Sequence, residues 1–494
     1  MLSSAASRDL GERGDAGRSA SPCDPPDCPR TDVLIVGGGV CGTALLFELA
    51  RYTDLRHLTL VERYGGLAQV NSCVTNNSQT IHVGDIETNY TLEKAVAVKR
   101  TAEMISHYGD LLDPQQRERC IFRTPKMVLA VGEAECELLR QRFSRFSPHF
   151  PAMQLLEKSA IAEWEPNVVL VDGQPRPEPL LAIGIRDSDT AVDYGELSLS
   201  FVDQARLAIA ADPERELALH LSTCVERIQP DGDGFVVDLA PGPEAPADGG
   251  ESARSRRIRA RHVVVCAGAH SLLLAQRMGY ALEYSCLPVA GSFYFTPDLL
   301  RGKVYTVQND KLPFAAIHGD PDVRAPGLTR FGPTALLLPR LERYRPGSFW
   351  EFLEVLRLDW DVVMVFAQLL GVADIRRYIL RNLLFEVPGL RRRLFLEDAR
   401  KIVPGMQLED LRFAEGYGGV RPQLIDRRQR RLMLGEVRIE ACPGLSFNVT
   451  PSPGGTCCLG NAQRDVEAIA ARLGCRFDRD RLERELLRQP VEVG

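Results

Sequence analysis

The first clear pattern of apolar and polar positions lies between Thr31 and Glu62. Val33-Leu34-Ile35-Val36 is an unbroken apolar run, as in a strand buried on both faces. Gly37-Gly38-Gly39-Val40-Cys41-Gly42 follows it, residues 43–52 have helical spacing, and Leu58-Thr59-Leu60-Val61 is a second buried run that ends at Glu62. The pattern predicts strand, turn, helix, strand. Further on, Thr91 reads as a helix cap with Leu92, Ala95 and Val96 on one face. Strands are predicted at 127–131, 217–225 and 234–239, and helices at 133–146 and 193–211. Residues 262–270 read as a buried strand that ends in small residues. Short strands at 292–295, 304–307, 314–317 and 335–338 predict an antiparallel sheet. Residues 341–400 read as mostly helical and rich in arginine. A strand at 445–449 leads through Thr450-Pro451-Ser452-Pro453-Gly454-Gly455-Thr456 into a helix at 456–473.

The opening unit matches G-x-G-x-x-G in the setting that gives that motif meaning. Gly37 permits the tight turn, Gly39 lets a pyrophosphate approach the backbone, and Gly42 lets helix and strand pack closely. The helix N-terminus offers N–H groups and partial positive charge, and Glu62 can accept hydrogen bonds from a ribose. A dinucleotide site follows, with FAD and NAD both open. A second glycine-rich loop more than 400 residues later, with a strand ending in Ala267-Gly268-Ala269 between them, argues for a discontinuous nucleotide-binding domain. Large flavoproteins are organised in this way, with a substrate domain inserted between the segments of the cofactor domain.

Composition narrows the class only slightly. The chain of 494 residues is 45% hydrophobic and 26% charged, an ordinary globular balance. A net charge of −6 gives no support to nucleic-acid binding. The 13 cysteines are scattered without a C-x-x-C pair, which reads as reduced thiols in a cytosolic setting, with no zinc site. No apolar stretch reaches the roughly 18 residues of a membrane span. Residues 1–30 lack a signal-peptide core and read as a disordered tail, and 241–256 as a surface loop insertion.

Four longer stretches carry a resemblance to a known family. NNSQTIHVGDIETNYTLEKA at 76–95, PFAAIHGDPDV at 313–323, TRFGPTALLLPRLER at 329–343 and FNVTPSPGGTCCLGNA at 447–462 closely resemble malate:quinone oxidoreductases. The opening unit and GGVRPQ at 418–423 fit as well. The resemblance implies an α/β fold: a Rossmann-type FAD-binding domain of the D-amino-acid-oxidase-like (glutathione-reductase-like) flavoproteins, with a substrate domain of antiparallel sheet plus helices. The expected division is 31–110, 191–285 and 402–480 for the FAD domain, and 111–190 and 286–401 for the substrate domain. It further implies FAD, oxidation of (S)-malate to oxaloacetate, electron transfer to membrane quinone, and peripheral attachment to the inner face of the cytoplasmic membrane.

Oxidising a 2-hydroxy acid needs a hydride acceptor, a base for the hydroxyl proton, and cations or donors for the carboxylates. Arg421, between Gly419-Val420 and Pro422, is the expected carboxylate clamp, and Arg330 the second. The base is expected at His318 or His82, two of only 8 histidines. His82 is equally open to contact with, or covalent linkage to, the flavin. Gly37, Gly39 and Gly42 are expected at the pyrophosphate, Glu62 at the ribose and Val225 at the adenine through its backbone. Gly268 is expected near the nucleotide, and Gly454, Gly455 and Thr456 near the flavin's pyrimidine end. Gly38, Arg63, Thr80 and Ala267 complete the expected cofactor set. For the membrane, the apolar residues of 349–366 and the arginines at 376, 377, 381 and 391–393 suggest a basic amphipathic surface, with packed helices as the alternative. An L-2-hydroxyglutarate dehydrogenase or oxidase, and a non-catalytic FAD-binding protein, remain alternative readings of the same residues.

Overall fold

The computed structural model describes residues 28–245, 256–308, 317–371, 373–385, 387–433, 435–451 and 453–488. Most of the N-terminal tail, most of the 241–256 insertion and most of the expected strand at 314–317 lie outside the described residues.

The opening unit folds as predicted. β1 (Arg30–Val36), α1 (Val40–Tyr52) and β2 (His57–Val61) follow one another, and the two strands pair in parallel from Val33 opposite Leu58 to Val36 opposite Val61. Strand Glu216–His220 continues the sheet beside β2. The long strand Arg256–Val265 pairs in parallel with β1. Its first half also pairs antiparallel with Gly234–Pro241, and its second half in parallel with Leu445–Val449. Three distant segments of the chain therefore build one sheet. α1 is buried around nearly its whole circumference, which marks a helix enclosed on every side. It packs against the helices Tyr194–Ala210 and Cys458–Leu473. Its Phe47 ring stacks on Phe201 at 5.6 Å and meets Tyr108 edge-on at 5.0 Å.

The single strand expected at 217–225 is two strands. The chain breaks at Ser222, whose φ is +48°. The Ser222 N–H donates to the Tyr64 carbonyl at 2.8 Å. The first part must run parallel to β2, whereas Thr223–Asp231 must turn to pair antiparallel with Gly234–Pro241. No continuous strand serves both partners.

Two further large sheets follow. In one, β3 (Tyr284–Ala290) and β4 (Val420–Asp426) pair antiparallel along their whole length. The other has eight strands, in the order Arg412–Phe413, Tyr294–Pro297, Leu328–Gly332, His318–Pro321, Lys303–Thr306, Lys126–Val131, Leu180–Ile185, Gln154–Glu157. It is mixed, not purely antiparallel as expected, because Lys303–Thr306 runs parallel to Lys126–Val131. No hairpin joins those two strands, so no turn dictates their direction. The stretch 402–480 is shared: Arg412–Phe413 and β4 join these later sheets, and the chain returns to the first sheet at Val437–Cys442.

Helices α2 (Ser348–Leu356), α3 (Trp360–Gly371) and α4 (Ala373–Leu384) lie over the β3–β4 sheet. Val365 and Phe366 of α3 pack on Leu287 and Ile425. The outer side of this layer is apolar: Trp350 is 72% and Trp360 70% exposed, and Leu353, Val363, Leu380 and Leu383 are exposed beside them.

Candidate active site

A cavity of about 600 Å³ opens where the first sheet meets the β3–β4 sheet. Gly37, Gly39, Glu62, Arg63, Val225, Ala267 and Gly268 line it, and so do Thr80, Gly454, Gly455 and Thr456. His82 and Arg421 lie on the same lining. Gly38, Gly42, His318 and Arg330 do not.

The first loop has the form a dinucleotide requires. Gly37 has φ +111°, and a Cβ there would stand 2.4 Å from the Cys266 carbonyl oxygen. A Cβ on Gly42 would stand 2.0 Å from the Gly37 oxygen, so helix and turn approach only through glycine. Gly39 is more open; its Cβ would meet only Ser72 Oγ, at 3.2 Å. Behind the loop, Glu62 Oε2 accepts the Gly38 N–H at 2.7 Å and Oε1 accepts the Tyr64 N–H at 3.0 Å. Each oxygen keeps a lone pair for a ligand. Burial pushes the Glu62 carboxyl above its usual range, against the pull of those two N–H groups. This cradle and donor set fit the ADP half of FAD.

The second loop is tied to the extended segment that carries His82. Tyr194 Oη donates to the Thr80 carbonyl at 2.8 Å and lies 3.1 Å from Thr456 Oγ1. Thr456 Oγ1 in turn accepts the His82 N–H at 3.1 Å. A Cβ on Gly455 would stand 2.8 Å from the Tyr194 ring. The helix starts at Cys458, two residues later than expected, because 454–457 are spent on the turn.

His82 is oriented by a carboxylate. Its Nδ1 lies 2.9 Å from Glu87 Oε1, and Glu87 Oε2 accepts the Gly84 N–H at 2.8 Å. Burial alone would raise the Glu87 pKa. The hydrogen bond and charge of His82, with the charge of Lys126, outweigh it and hold the carboxyl below its ordinary range. Lys126 is buried beside them and donates to Asp85 at 2.8 Å. A carboxylate on Nδ1 places the ring proton there and leaves Nε2 as the basic nitrogen.

Arg421 is held by an unforeseen residue. Asn71 clamps the preceding residue, Val420, with Oδ1 accepting its N–H at 3.0 Å and Nδ2 donating to its carbonyl at 2.9 Å. The side chain thus substitutes for a strand partner at the start of β4. Gly419 is required there, since its Cβ would stand 2.6 Å from Asn71 Oδ1.

His318 and Arg330 lie together elsewhere. His318 is 1% exposed and stacks on Tyr305 at 4.3 Å. Neither of its ring nitrogens has a hydrogen-bond partner among the described residues. Burial pushes its pKa down to about 3, with Lys303 and Arg330 working in the same direction and Asp320 against it. Arg330 is fully buried over the Phe293 ring and donates to the Asn77 carbonyl at 3.2 Å and to Asp320 at 3.4 Å. Lys303 bonds Asp320 at 3.0 Å. The cluster supports the 77–80 turn from behind: Thr80 Oγ1 lies 2.9 Å from Tyr305 Oη. The cross-strand register, Asp320 opposite Arg330, turns their charges toward one another rather than into the cavity.

Glu87, Asn71 and Tyr194 were missed by sequence reasoning. Glu87 left a usable signal, an acid five residues after His82 within one motif; Asn71 left none in its polar loop.

Known proteins resemble the chain in sequence and in fold. The family described as malate:quinone oxidoreductase (Mqo) matches residues 29–440. A probable malate:quinone oxidoreductase of Campylobacter jejuni is 45% identical over 462 residues, covering 92% of this chain and 99% of that one. The malate:quinone oxidoreductase of Helicobacter pylori is 43% identical over 464 residues, covering 93% and 99%. Among solved structures, L-alpha-glycerophosphate oxidase from Mycoplasma pneumoniae with FAD bound superposes with a TM-score of 0.58 at 19% identity, over 89% of this chain and 94% of that one. Glycine oxidase from Geobacillus kaustophilus gives 0.58 at 19% identity, over 90% and 95%. These two share its fold. By the extent of the family match and the identity to its relatives, the chain belongs to the malate:quinone oxidoreductase family.

Proposed function

We propose that this chain oxidises (S)-malate to oxaloacetate with FAD and passes the electrons to quinone. The observation that carries the reading is one cavity lining that holds both glycine-rich loops, the Glu87-held His82 and Arg421. Bound along those loops, FAD supplies the acceptor for the carbinol hydride. Arg421 grips a malate carboxylate through its planar fork of N–H donors. His82 Nε2 takes the hydroxyl proton, and the Glu87 carboxylate stabilises the imidazolium that results. Asn71 and Tyr194 fix the two loops that carry Arg421 and His82. In this reading the first sheet and its helices hold the cofactor, and the two later sheets build the substrate side. His318 and Arg330 support the 77–80 turn rather than touch malate.

L-2-hydroxyglutarate, one methylene longer, is the competing substrate, and loss of turnover the competing class. Adding each acid to the anaerobic flavoprotein separates them. Malate bleaches the flavin absorbance at a rate well above that with 2-hydroxyglutarate if the reading is right. Faster bleaching by 2-hydroxyglutarate transfers the assignment to that acid, and bleaching by neither favours a non-catalytic protein.

For the quinone to be reached, we place the outer face of α2–α4 on the inner surface of the cytoplasmic membrane. Among the described residues no helix is long and apolar enough to cross a membrane. A surface led by Trp350 and Trp360 suits the interfacial zone of a bilayer. The basic component is smaller than the sequence suggested. Arg381 pairs with Glu397 and Asp398, Arg391 stacks on Phe413 and Arg392 bonds the Leu408 carbonyl, whereas Arg376, Arg377 and Arg393 are exposed.

A further inference from the structure

Next to Glu62 the cavity wall carries a network of charged side chains that the chemistry described so far does not use. Arg63 and Tyr64 follow Glu62 directly, and His270 opens the helix His270–Arg277. Glu342 and Arg345 come from the loop before α2, and Glu351 from its first turn. All of these except Arg345 lie on the cavity lining. The contacts cross from one part of the molecule to the other. Arg63 Nη1 donates to Glu342 Oε1 at 3.2 Å, and Nη2 lies 3.6 Å from Glu351 Oε1. Tyr64 Oη donates to Glu342 Oε2. His270 Nε2 stands between Arg63 Nη1, at 3.2 Å, and Glu351 Oε2, at 2.9 Å. Arg345 donates to the same Glu351 oxygen.

These groups are fixed more firmly than a surface ion pair. Glu342 is 7% exposed. Its loop is folded back by Ser348, whose Oγ accepts the Glu342 N–H at 3.1 Å and donates to the Arg345 carbonyl at 2.7 Å. Burial would raise the Glu351 pKa, but hydrogen bonds from His270 and Arg345 hold the carboxyl well below its ordinary range. Burial, with the Glu342 carboxylate, pushes the Tyr64 phenol up, so it stays a donor. Charges partly withdrawn from water are screened less than exposed ones, and breaking such a pair leaves a charge uncompensated. A tie between layers could sit anywhere along their contact. This one sits on the cavity wall and holds Arg63, the residue after the expected ribose acid.

We propose that Glu342 and Glu351 form a clasp at the adenosine end of FAD, as positioning residues that fix Arg63 on the wall the adenosine meets. The inference rests on FAD lying along the two glycine-rich loops with its ribose at Glu62. Two acids face two arginines, so the clasp sets no surplus negative charge against a diphosphate ligand. Glu62 and Val225 belong to the first sheet, whereas the clasp belongs to the chain that enters α2, over the β3–β4 sheet. FAD is then enclosed by both parts of the molecule. Its adenosine leaves when the contacts of Arg63 with Glu342 and of His270 with Glu351 part.

Loss of FAD from the holoenzyme, followed by the rise in flavin fluorescence after dilution, tests the clasp. Glu342→Gln keeps the shape and an acceptor for Tyr64 but removes the charge that holds Arg63; Glu351→Gln does the same on the other arm. Each is expected to raise the FAD dissociation rate about tenfold, the scale of one hydrogen bond to a charged group. The absorption band of the flavin that stays bound is expected to keep its position, because the clasp acts at the adenosine end. Arg63→Met completes a double-mutant cycle. In that background Glu342→Gln should change the rate by less than about twofold, since the residue it acts through is gone; a merely structural pair of layers would show the full effect in both backgrounds. An unchanged dissociation rate in the folded Glu342→Gln and Glu351→Gln proteins overturns the proposal. A full tenfold effect of Glu342→Gln on top of Arg63→Met, or a shifted flavin band, overturns it as well. If Arg63→Met alone leaves FAD loss unchanged, the placement of the adenosine has failed, before the acids are compared. Glu351→Gln carries both comparisons if Glu342→Gln does not fold.

Discussion

Glu87 Oε1 stands 2.9 Å from Nδ1 of His82, and this contact decides which ring nitrogen is basic. Replacing His82 by Gln should slow malate-driven flavin bleaching by about 10²–10⁴-fold, the usual contribution of a general base. Glu87→Gln should also slow it, by a smaller factor, with FAD retained. Rapid bleaching in His82→Gln would move the base elsewhere.

The Asn71 clamp on Val420 makes a graded prediction for the substrate clamp. Arg421→Ala should lower kcat/KM for malate by about 10²–10³-fold, since a charged donor pair is lost from a dianion. Asn71→Ala leaves the guanidinium in place but removes two hydrogen bonds, about 1–3 kcal/mol in total, and should raise the malate KM more than it lowers kcat. An unchanged kcat/KM in Arg421→Ala would remove its role.

In the proposed reading His318 gives a pH signature without a part in catalysis. Its imidazole is held neutral in the folded chain, with a pKa lowered to about 3, chiefly by burial. Between that value and the ordinary one near 6.5, the unfolded chain binds a proton that the folded chain refuses. This contribution to stability is complete above about pH 6.5 and declines as the pH falls toward 3. His318→Phe, which keeps the stack on Tyr305, should flatten that decline in denaturant titrations and leave malate bleaching intact. A bleaching rate that collapses would return His318 to the list of bases.

The exposed tryptophans test the membrane face. Trp350→Ala with Trp360→Ala should weaken binding to phosphatidylglycerol vesicles by about tenfold or more, the scale of burying a large side chain. Bleaching by malate should not change. Sedimentation with vesicles measures the first and absorbance the second; equal sedimentation of variant and parent would exclude this face.

The sequence by itself determined what is local. The glycine spacing from Gly37 to Gly42 and the acid at Glu62 specify their own turn, helix and strand, because contacts within one stretch of chain fix them: a Cβ on Gly42 would meet the Gly37 oxygen, and Glu62 accepts the Gly38 N–H. Helix 133–146 and the cap at Thr91 were legible for the same reason. The motifs around His82, Arg421 and Gly454 also pointed to the parts of the cavity wall they occupy. Tertiary structure decided the rest. His318 and Arg330 sit in motifs as distinctive as that of His82, but cross-strand register sets Arg330 opposite Asp320, two residues along the strand from His318, beneath the wall. Asn71 reaches Val420 across about 350 positions of chain, and no local pattern encodes such a bond. The strand direction of Lys303–Thr306 and the break at Ser222 depend likewise on partners distant in sequence. Local pattern sets which groups the chain carries; only packing among distant segments sets which of them face the ligand.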